Sequence, residues 1–340
     1  MSTDADGFRR GLIVTRTPLR LSFAGGGTDL PAFYLRDDGA VLSSAIDKYI
    51  YVTVKRHGGM FDEAVRINYS RSEKVEQISE IQNDIARECL RFLQVDPPIY
   101  VSTVGDMPAS SGLGGSGAFA VGLLNGLHAL LGERVSAGQL AEEASHIEME
   151  VLGQPIGKQD QYAAAFGGLN LFRFRNDGTV TVEPQRVRNR FLTELFEHIV
   201  LFWTGHQRDA GAVLAEQQRR TDEKHESLCR MREQALQLRE LLANHATVEE
   251  VGRMLHEGWL EKRGLASTIT SPQIDTWYEQ ARAAGALGGK VAGAGGGGFL
   301  FLVVPPDRQP AVRTALEGLR EVRVRPETHG SQVVLPYLHW

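Results

Sequence analysis

Pro108-Ala109-Ser110-Ser111-Gly112-Leu113-Gly114-Gly115-Ser116-Gly117-Ala118 runs straight into the apolar stretch Phe119 to Leu131. Four glycines within six residues leave backbone N–H groups unshielded by side chains, and the apolar stretch predicts a helix whose N-terminus faces the loop. That combination is a phosphate cradle. A flexible glycine-serine linker is normally polar on both sides, whereas this run lies between the strand-like Ile99 to Val104 and a strong helix. A Walker loop would end in Gly-Lys-Ser/Thr, and no lysine occurs between Lys74 and Lys158. Gly112, Gly114 and Gly117 meet the dinucleotide pattern Gly-x-Gly-x-x-Gly, but no acidic residue ends a strand about twenty residues later. A dehydrogenase is therefore the second reading.

The bulk properties bound the answer. With 340 residues, 42% hydrophobic and 23% charged, the chain predicts an ordinary globular protein of about two domains. A formal charge of −5 with scattered basic residues argues against a nucleic-acid surface. Cys89 and Cys229 lie far apart in predicted helices, so neither a disulfide framework nor a zinc site is expected, and both read as buried thiols. Residues 1–10 carry charges without an apolar core and read as disordered, not as a secretory signal. The apolar part of the longest uncharged run, from Phe119, is too short to span a bilayer. The expectation is a cytoplasmic protein that is a monomer or a homodimer.

Around the loop, Leu12 to Thr17, Arg20 to Phe23, Ala40 to Ile46 and Tyr49 to Lys55 read as four short strand-like pieces, and Ile81 to Leu93 as a helix. Ser136 precedes a helix with Leu140, Ala144, Ile147 and Val151 on one face, closed by Gly153 and Pro155. Leu169 to Phe174 and Thr179 to Glu183 form a hairpin about Asn176-Asp177-Gly178. The charge-rich stretch Gln185 to Arg190 marks a boundary, giving expected domains of 11–188 and 189–340. Beyond it come a strand at His198 to Thr204, three helical stretches within Asp209 to Ala284, the first long and charged, and a strand at Phe299 to Val304. A helix at Gln309 to Leu319 and a last strand follow, with no internal repeat.

Two further segments complete a pattern: Arg16-Thr17-Pro18-Leu19-Arg20 through Gly25-Gly26-Gly27-Thr28-Asp29-Leu30, and Lys290-Val291-Ala292-Gly293-Ala294-Gly295-Gly296-Gly297-Gly298. Their order and spacing with the central loop resemble the three motifs of the GHMP kinases, the family of galactokinase, homoserine kinase, mevalonate kinase and phosphomevalonate kinase. Gly157-Lys158-Gln159-Asp160-Gln161-Tyr162 stands where the family's sugar kinases carry a catalytic Asp. The resemblance spans nearly the whole chain. It implies a two-domain α/β (α+β) fold, a ribosomal-S5-like amino-terminal unit with a ferredoxin-like carboxy-terminal one, and an active site between them.

The same resemblance assigns roles. ATP phosphates would lie against Pro108, Ser110, Ser111, Gly112, Leu113, Gly114, Gly115, Ser116 and Gly117, with Ser116 a Mg2+ ligand that also has the position of a helix cap. The second Mg2+ ligand is expected before Gly153. Glu148 has Ala144, Val151 and Leu152 among its i±3 and i±4 neighbours and points inward, whereas Glu150, Glu142 and Glu143 read as a solvated face. Asp160, read as lying in a short loop, would accept or orient the proton of the attacking hydroxyl, and Arg20 would stabilise the transferred phosphoryl group or hold Asp160 ionised. Sugar contacts are expected from Asp29, Gly26, Gly27, Thr28, Gly295, Gly296 and Arg208, although Asp29 also has the form of a helix cap. Lys290 reads as a surface residue or a phosphate contact, and His206 as a weaker acceptor contact.

Departures narrow the branch. Gly26 and Gly27 replace the Glu-His of galactokinases, Gly115 a common serine, and Ala292 and Phe299 the usual Thr and Cys. One extra residue before Asp160 separates the chain from mevalonate kinases. The combination is most similar to sugar 1-kinases acting on D-glycero-D-manno-heptose 7-phosphate and to fucokinase domains. A phosphorylated acceptor calls for another basic contact, for which Lys158, Arg208, Lys262 and Arg263 stand unranked. A kinase for an unphosphorylated sugar such as fucose, or a catalytically silent sugar and nucleotide sensor, are the alternatives. No nucleic-acid or membrane partner is expected.

Overall fold

Two long antiparallel strands, β1 (Gly11–Ala24) and β2 (Gly39–Lys55), frame the computed structural model, which describes residues 11–57, 60–187, 190–206, 210–244 and 246–338. The four expected strand pieces are continuous because register shifts at Pro18/Leu19 and Ser22/Ala24 bend β1 without ending it. The expected disorder of residues 1–10 lies outside the described residues. A short helix, α1 (Pro31–Tyr34), joins the two strands.

The rest of the first unit is β3 (Val65–Asn68), β4 (Ser72–Val75), α2 (Asp84–Phe92), β5 (Ile99–Gly105), α3 (Gly115–Leu131), α4 (Ala137–His146), α5 (Gln159–Phe166), β6 (Leu169–Phe174) and β7 (Val180–Pro184). The pair β3 and β4 carried no clear apolar alternation and was not expected. Along β2, residues 39–44 pair with β6 and residues 50–55 with β5, while β1 occupies the other edge.

The second unit contains α6 (Phe191–His198), β8 (Ile199–Trp203), α7 (Ala210–Arg219), α8 (His225–Ala243), α9 (Val248–Lys262), α10 (Pro272–Ala283), β9 (Gly288–Val291), β10 (Phe299–Val303), α11 (Gln309–Ala315) and β11 (Arg320–Val322). Four helices, not three, fill Asp209 to Ala284, because the charged stretch breaks at 220–224. The first of them has only 10 residues, and the long charged helix is α8, with 19. The sheet order here is β11-β8-β10-β9. The chain then returns to the first unit: β12 (Gln332–Leu338) pairs with β1, so the first sheet reads β12-β1-β2-β5-β3-β4. Sheet membership thus divides the expected 189–340 segment, whose last strand belongs with residues 11–187.

Side chains on β8 and β10 alternate between two cores, as the two-residue period of a strand demands. Leu201, Phe299 and Phe301 face the first sheet, where the Phe301 ring meets Phe23 edge-on at 5.6 Å, while Phe202, Leu300 and Leu302 face α10 and α11. Each fully buried ring of this kind contributes about 2–3 kcal/mol. The second sheet is covered on both faces and locks the two units together. On the first sheet, α3 lies so close that a Cβ on Gly122 would come within 2.6 Å of Thr17 Oγ1. The thiol of Cys89 is buried as expected, whereas Cys229 is only half-buried because its helix borders solvent.

Candidate active site

The loop leaves β5 and enters α3 through Ser110, Gly112 and Gly114, which have φ values of 55, 81 and 79°. A left-handed residue at every second position is the backbone form that builds anion-binding concavities. Gly114 is the N-cap of α3 and no side chain caps the helix, so the capping position expected for Ser116 falls two residues earlier and Ser116 stays exposed. None of the amides from Ser111 to Gly117 donates to a backbone carbonyl among the described residues. Ser110, Ser111, Gly112, Gly114, Gly115 and Ser116 line an open cleft. Pro108, Leu113 and Gly117 do not: Leu113 is in the core with its carbonyl accepting the Arg20 amide at 3.0 Å, and Gly117 packs on Asp160.

Facing the loop, Arg20 is buried and donates from Nε to Asp160 Oδ1 at 2.8 Å, with Nη2 2.6 Å from the same oxygen. Its Nη1 donates to the Gly112 carbonyl at 2.6 Å. The guanidinium thus joins loop to carboxylate, and Oδ2 of Asp160 keeps no donor among the described residues. Asp160 lies in the first turn of α5, not in a free loop, and its side chain is 26% exposed to the cleft. Asp29 is buried beside it, accepting the Gly27 amide at 2.9 Å and the Gln159 amide at 3.4 Å. Burial raises the Asp29 pKa and the charge of Asp160 adds to the rise, while the two amides oppose it. Leu30, not Asp29, caps α1. Gly26 and Gly27 line the cleft, whereas Thr28 is fully buried and spends its hydroxyl on the Gly25 and Ala40 carbonyls.

Glu148 sits below Ser116 and is 0% exposed. A π-helical turn, Ile147–Val151, carries it, closed by the Leu152 amide on the Ile147 carbonyl at 2.9 Å. Burial raises its pKa to about 7, while hydrogen bonding from the Gln161 amide and the Ser116 hydroxyl pulls the other way. Gln161 Nε2 donates to Oε2 at 2.6 Å, and Oε1 meets no donor in normal hydrogen-bond geometry. Glu150 and Glu142 are exposed as expected, but Glu143 is not part of that solvated face: His128 Nε2 lies 2.8 Å from it and Nδ1 lies 2.6 Å from Glu133.

The third glycine run packs onto the loop. A Cβ on Gly293 would lie 2.7 Å from the Gly112 carbonyl oxygen, and one on Gly298 would lie 2.4 Å from that of Ser111. Two of its amides are spent, Gly296 on Ile269 at 2.7 Å and Gly298 on His206 at 2.9 Å. Only Gly293 and Ala294 of the run reach the cleft, so Gly295 and Gly296 support and do not line it. Lys290 is neither at the surface nor in the cleft: it is buried and donates to the Phe23 carbonyl at 3.0 Å, with burial holding its pKa well below the usual range. His206 contributes its backbone carbonyl, and Arg208 lies outside the described residues.

Residues to which the sequence assigned no role also meet here. Ser22 Oγ, Gln159 Oε1, Gln161 Oε1 and Gln217 Nε2 are buried, belong to residues that line the cleft and have no hydrogen-bond partner among the described residues. Gln159 and Gln161 flank Asp160, so a polar triplet before an alanine run was the available signal. Gln217 on α7 had none. Lys262 lines the cleft, while Lys158 turns away to Glu142 at 3.1 Å and Arg263 faces Asp275 at 3.5 Å.

Comparison with known proteins agrees with this architecture. Residues 78–168 match the GHMP kinases N terminal domain and residues 238–319 match the GHMP kinases C terminal. The chain is 33% identical over 311 residues, covering 87% of it and 91% of the relative, to a D-glycero-alpha-D-manno-heptose 7-phosphate kinase of Campylobacter jejuni. Among solved structures, a D-glycero-D-manno-heptose 1-phosphate kinase from Bacteroides thetaiotaomicron aligns with TM-score 0.78 at 26% identity, covering 96% of this chain and 99% of that one. A putative sugar kinase from Campylobacter jejuni aligns with TM-score 0.73 at 27% identity, covering 98% and 100%. With both family domains in place around a glycine-lined cleft, the chain belongs to the GHMP kinases and is an ATP-dependent sugar kinase.

Proposed function

We propose that this kinase phosphorylates the anomeric hydroxyl of D-glycero-D-manno-heptose 7-phosphate, giving the 1,7-bisphosphate. The choice of sugar rests on the similarity to the Campylobacter heptose 7-phosphate kinase over nearly the full length of both chains. The observation that carries the chemistry is the Arg20–Asp160 pair held against the open loop. In this reading the loop amides and the N-terminus of α3 hold the triphosphate. The acceptor hydroxyl approaches Asp160, whose free Oδ2 takes the proton as the new P–O bond forms and ADP leaves. Arg20 meets the charge that develops on the transferred group. Asp29, Ser22 and Gln159 offer hydrogen bonds to sugar hydroxyls in the cleft, as does Gln217, which packs against Gly27.

A Mg2+ ion fits the residues present. The orphaned Oε1 of buried Glu148 beside the Ser116 hydroxyl is an all-oxygen donor pair of the kind this ion takes, completed by water and phosphate. Held there, it would neutralise charge on the ATP phosphates. The site unit in this reading is residues 11–187 with 325–338, closed by 190–322.

Phosphorus NMR of reactions with heptose 7-phosphate, fucose, mannose and galactose tests the proposal. A new anomeric phosphate on heptose 7-phosphate alone is the expected outcome, and one on another sugar renames the substrate. ATP binding without ADP release on any sugar would point to a sensor. Asp160→Asn should bind nucleotide normally and lose turnover about 10³-fold, and near-normal turnover would remove the role assigned to it.

A further inference from the structure

Lys262 ends α9 with an ammonium that has no salt bridge among the described residues. Its side chain is 4% exposed yet borders the cleft. Among the described residues no carboxylate lies within ion-pair distance of it, and it donates to the Gly293 carbonyl. Burial and the nearby Arg20 push its pKa down to about 8, against the attraction of Asp29 and Asp160. An ammonium kept in such a place is costly unless an anion arrives to balance it.

Its position says which anion. Gly293 touches Gly112 across the seam between the two glycine runs, and the Gly112 carbonyl holds Arg20 Nη1 at 2.6 Å. Two cations are thus anchored on the carbonyls of two glycines whose backbones pack closely, one from each unit. Arg20 is already balanced by Asp160, whereas Lys262 is not. The glycine loop brings no lysine of its own, so a cationic side chain on the phosphates would come from elsewhere in the chain.

We propose that Lys262 is a second cationic contact to the transferred phosphoryl group, supplied from α9 and acting beside Arg20. The inference rests on the reading of Arg20 and Asp160 as the transfer site. It gives the third glycine run a task in catalysis, since the Gly293 carbonyl aims the ammonium while its contact with Gly112 sets the distance to the loop. The same charge could be met by a phosphate on the acceptor, and the experiment separates the two.

The test uses full-length Lys262→Met, Lys262→Gln and Lys262→Arg, each checked for folding by its thermal shift on adding ADP. The Gln variant keeps a donor for the Gly293 carbonyl and decides the matter should the Met variant not fold. Expected are a loss in kcat of about 100-fold for Met and Gln, KM for ATP and acceptor within about threefold of wild type, and recovery of about tenfold by Arg. Calorimetry should show ADP affinity unchanged and affinity for ADP with aluminium fluoride and acceptor reduced about 100-fold. A kcat within threefold of wild type, or a loss confined to KM for a phosphorylated acceptor, overturns the proposal. Wild-type enzyme that phosphorylates no sugar would count against the transfer site itself, not against Lys262 alone.

Discussion

The glycine runs at 108–118 and 290–298 have nearly the same composition and opposite uses. The first keeps its amides free and its helix start uncapped, facing an open cleft. The second spends the amides of Gly296 and Gly298 on Ile269 and His206 and lays its Cα atoms against Ser111 and Gly112. One run is glycine so that a ligand can approach; the other is glycine so that another backbone can. Composition alone does not separate these cases, and what surrounds each run does.

Gly298→Ala should break the contrast most severely. The new Cβ would stand 2.4 Å from the Ser111 carbonyl at a residue with φ of 81°, forcing the runs apart. A cost of about 2–4 kcal/mol should appear as a melting temperature lower by about 3–6 °C, with turnover falling at least tenfold. An unchanged melting curve would mean the third run does not support the loop.

Glu148→Gln probes the ground under the open run. The carboxyl has its pKa raised from 4.5 to about 7, so the folded state binds the proton more tightly and stability falls as pH rises through that window. In chelator the neutral variant should match wild type near pH 4 and exceed it by about 3 kcal/mol at pH 8, measured by urea unfolding. Turnover should nevertheless drop by about 100-fold, and a variant that is both stabilised and fully active would separate Glu148 from the metal.

Gly115→Ala sharpens the comparison from the other side. No atom lies within 4 Å of the added Cβ and the backbone is helical, so the variant should fold with about 0.5 kcal/mol more stability. ATP affinity by calorimetry should fall about fivefold, because the methyl stands in the space left for phosphate. Equal affinity would show that the free amides there are not used.

The smallest effect is expected at the far end of α3. His128 loses charge to burial, but the carboxylates of Glu143 and Glu133 outweigh that and raise its pKa. Its stabilisation is therefore complete below about pH 6.5 and fades as pH rises through the raised value. His128→Asn should melt about 2 °C lower than wild type at pH 6, with the gap closing in alkaline buffer.

Much of this was legible in the sequence where one segment decides its own structure. The helix after the loop, the hairpin at 169–184 and the inward choice of Glu148 over Glu150 follow from period and neighbours. What depends on distant segments was not legible. Thr28 reads as a sugar contact until Ala40 takes its hydroxyl, and Lys290 as a surface residue until Phe23 takes its ammonium. Glu143 reads as solvated until His128 arrives from α3. Each reversal comes from a partner at least 12 positions away, a distance at which no local periodicity carries information.

The return of β12 to β1 has a bearing on how the chain is made. Register pairs Gly11 with Leu338, so the edge of β1 that β12 covers stays without that partner until β12 emerges. During translation that edge is a bare template for pairing with another nascent chain, and chaperone occupancy should persist until residues 332–338 are released. A stop or a proteolytic nick just before Gln332 would leave the glycine loop and its helix intact in sequence while exposing the strand that carries Arg20.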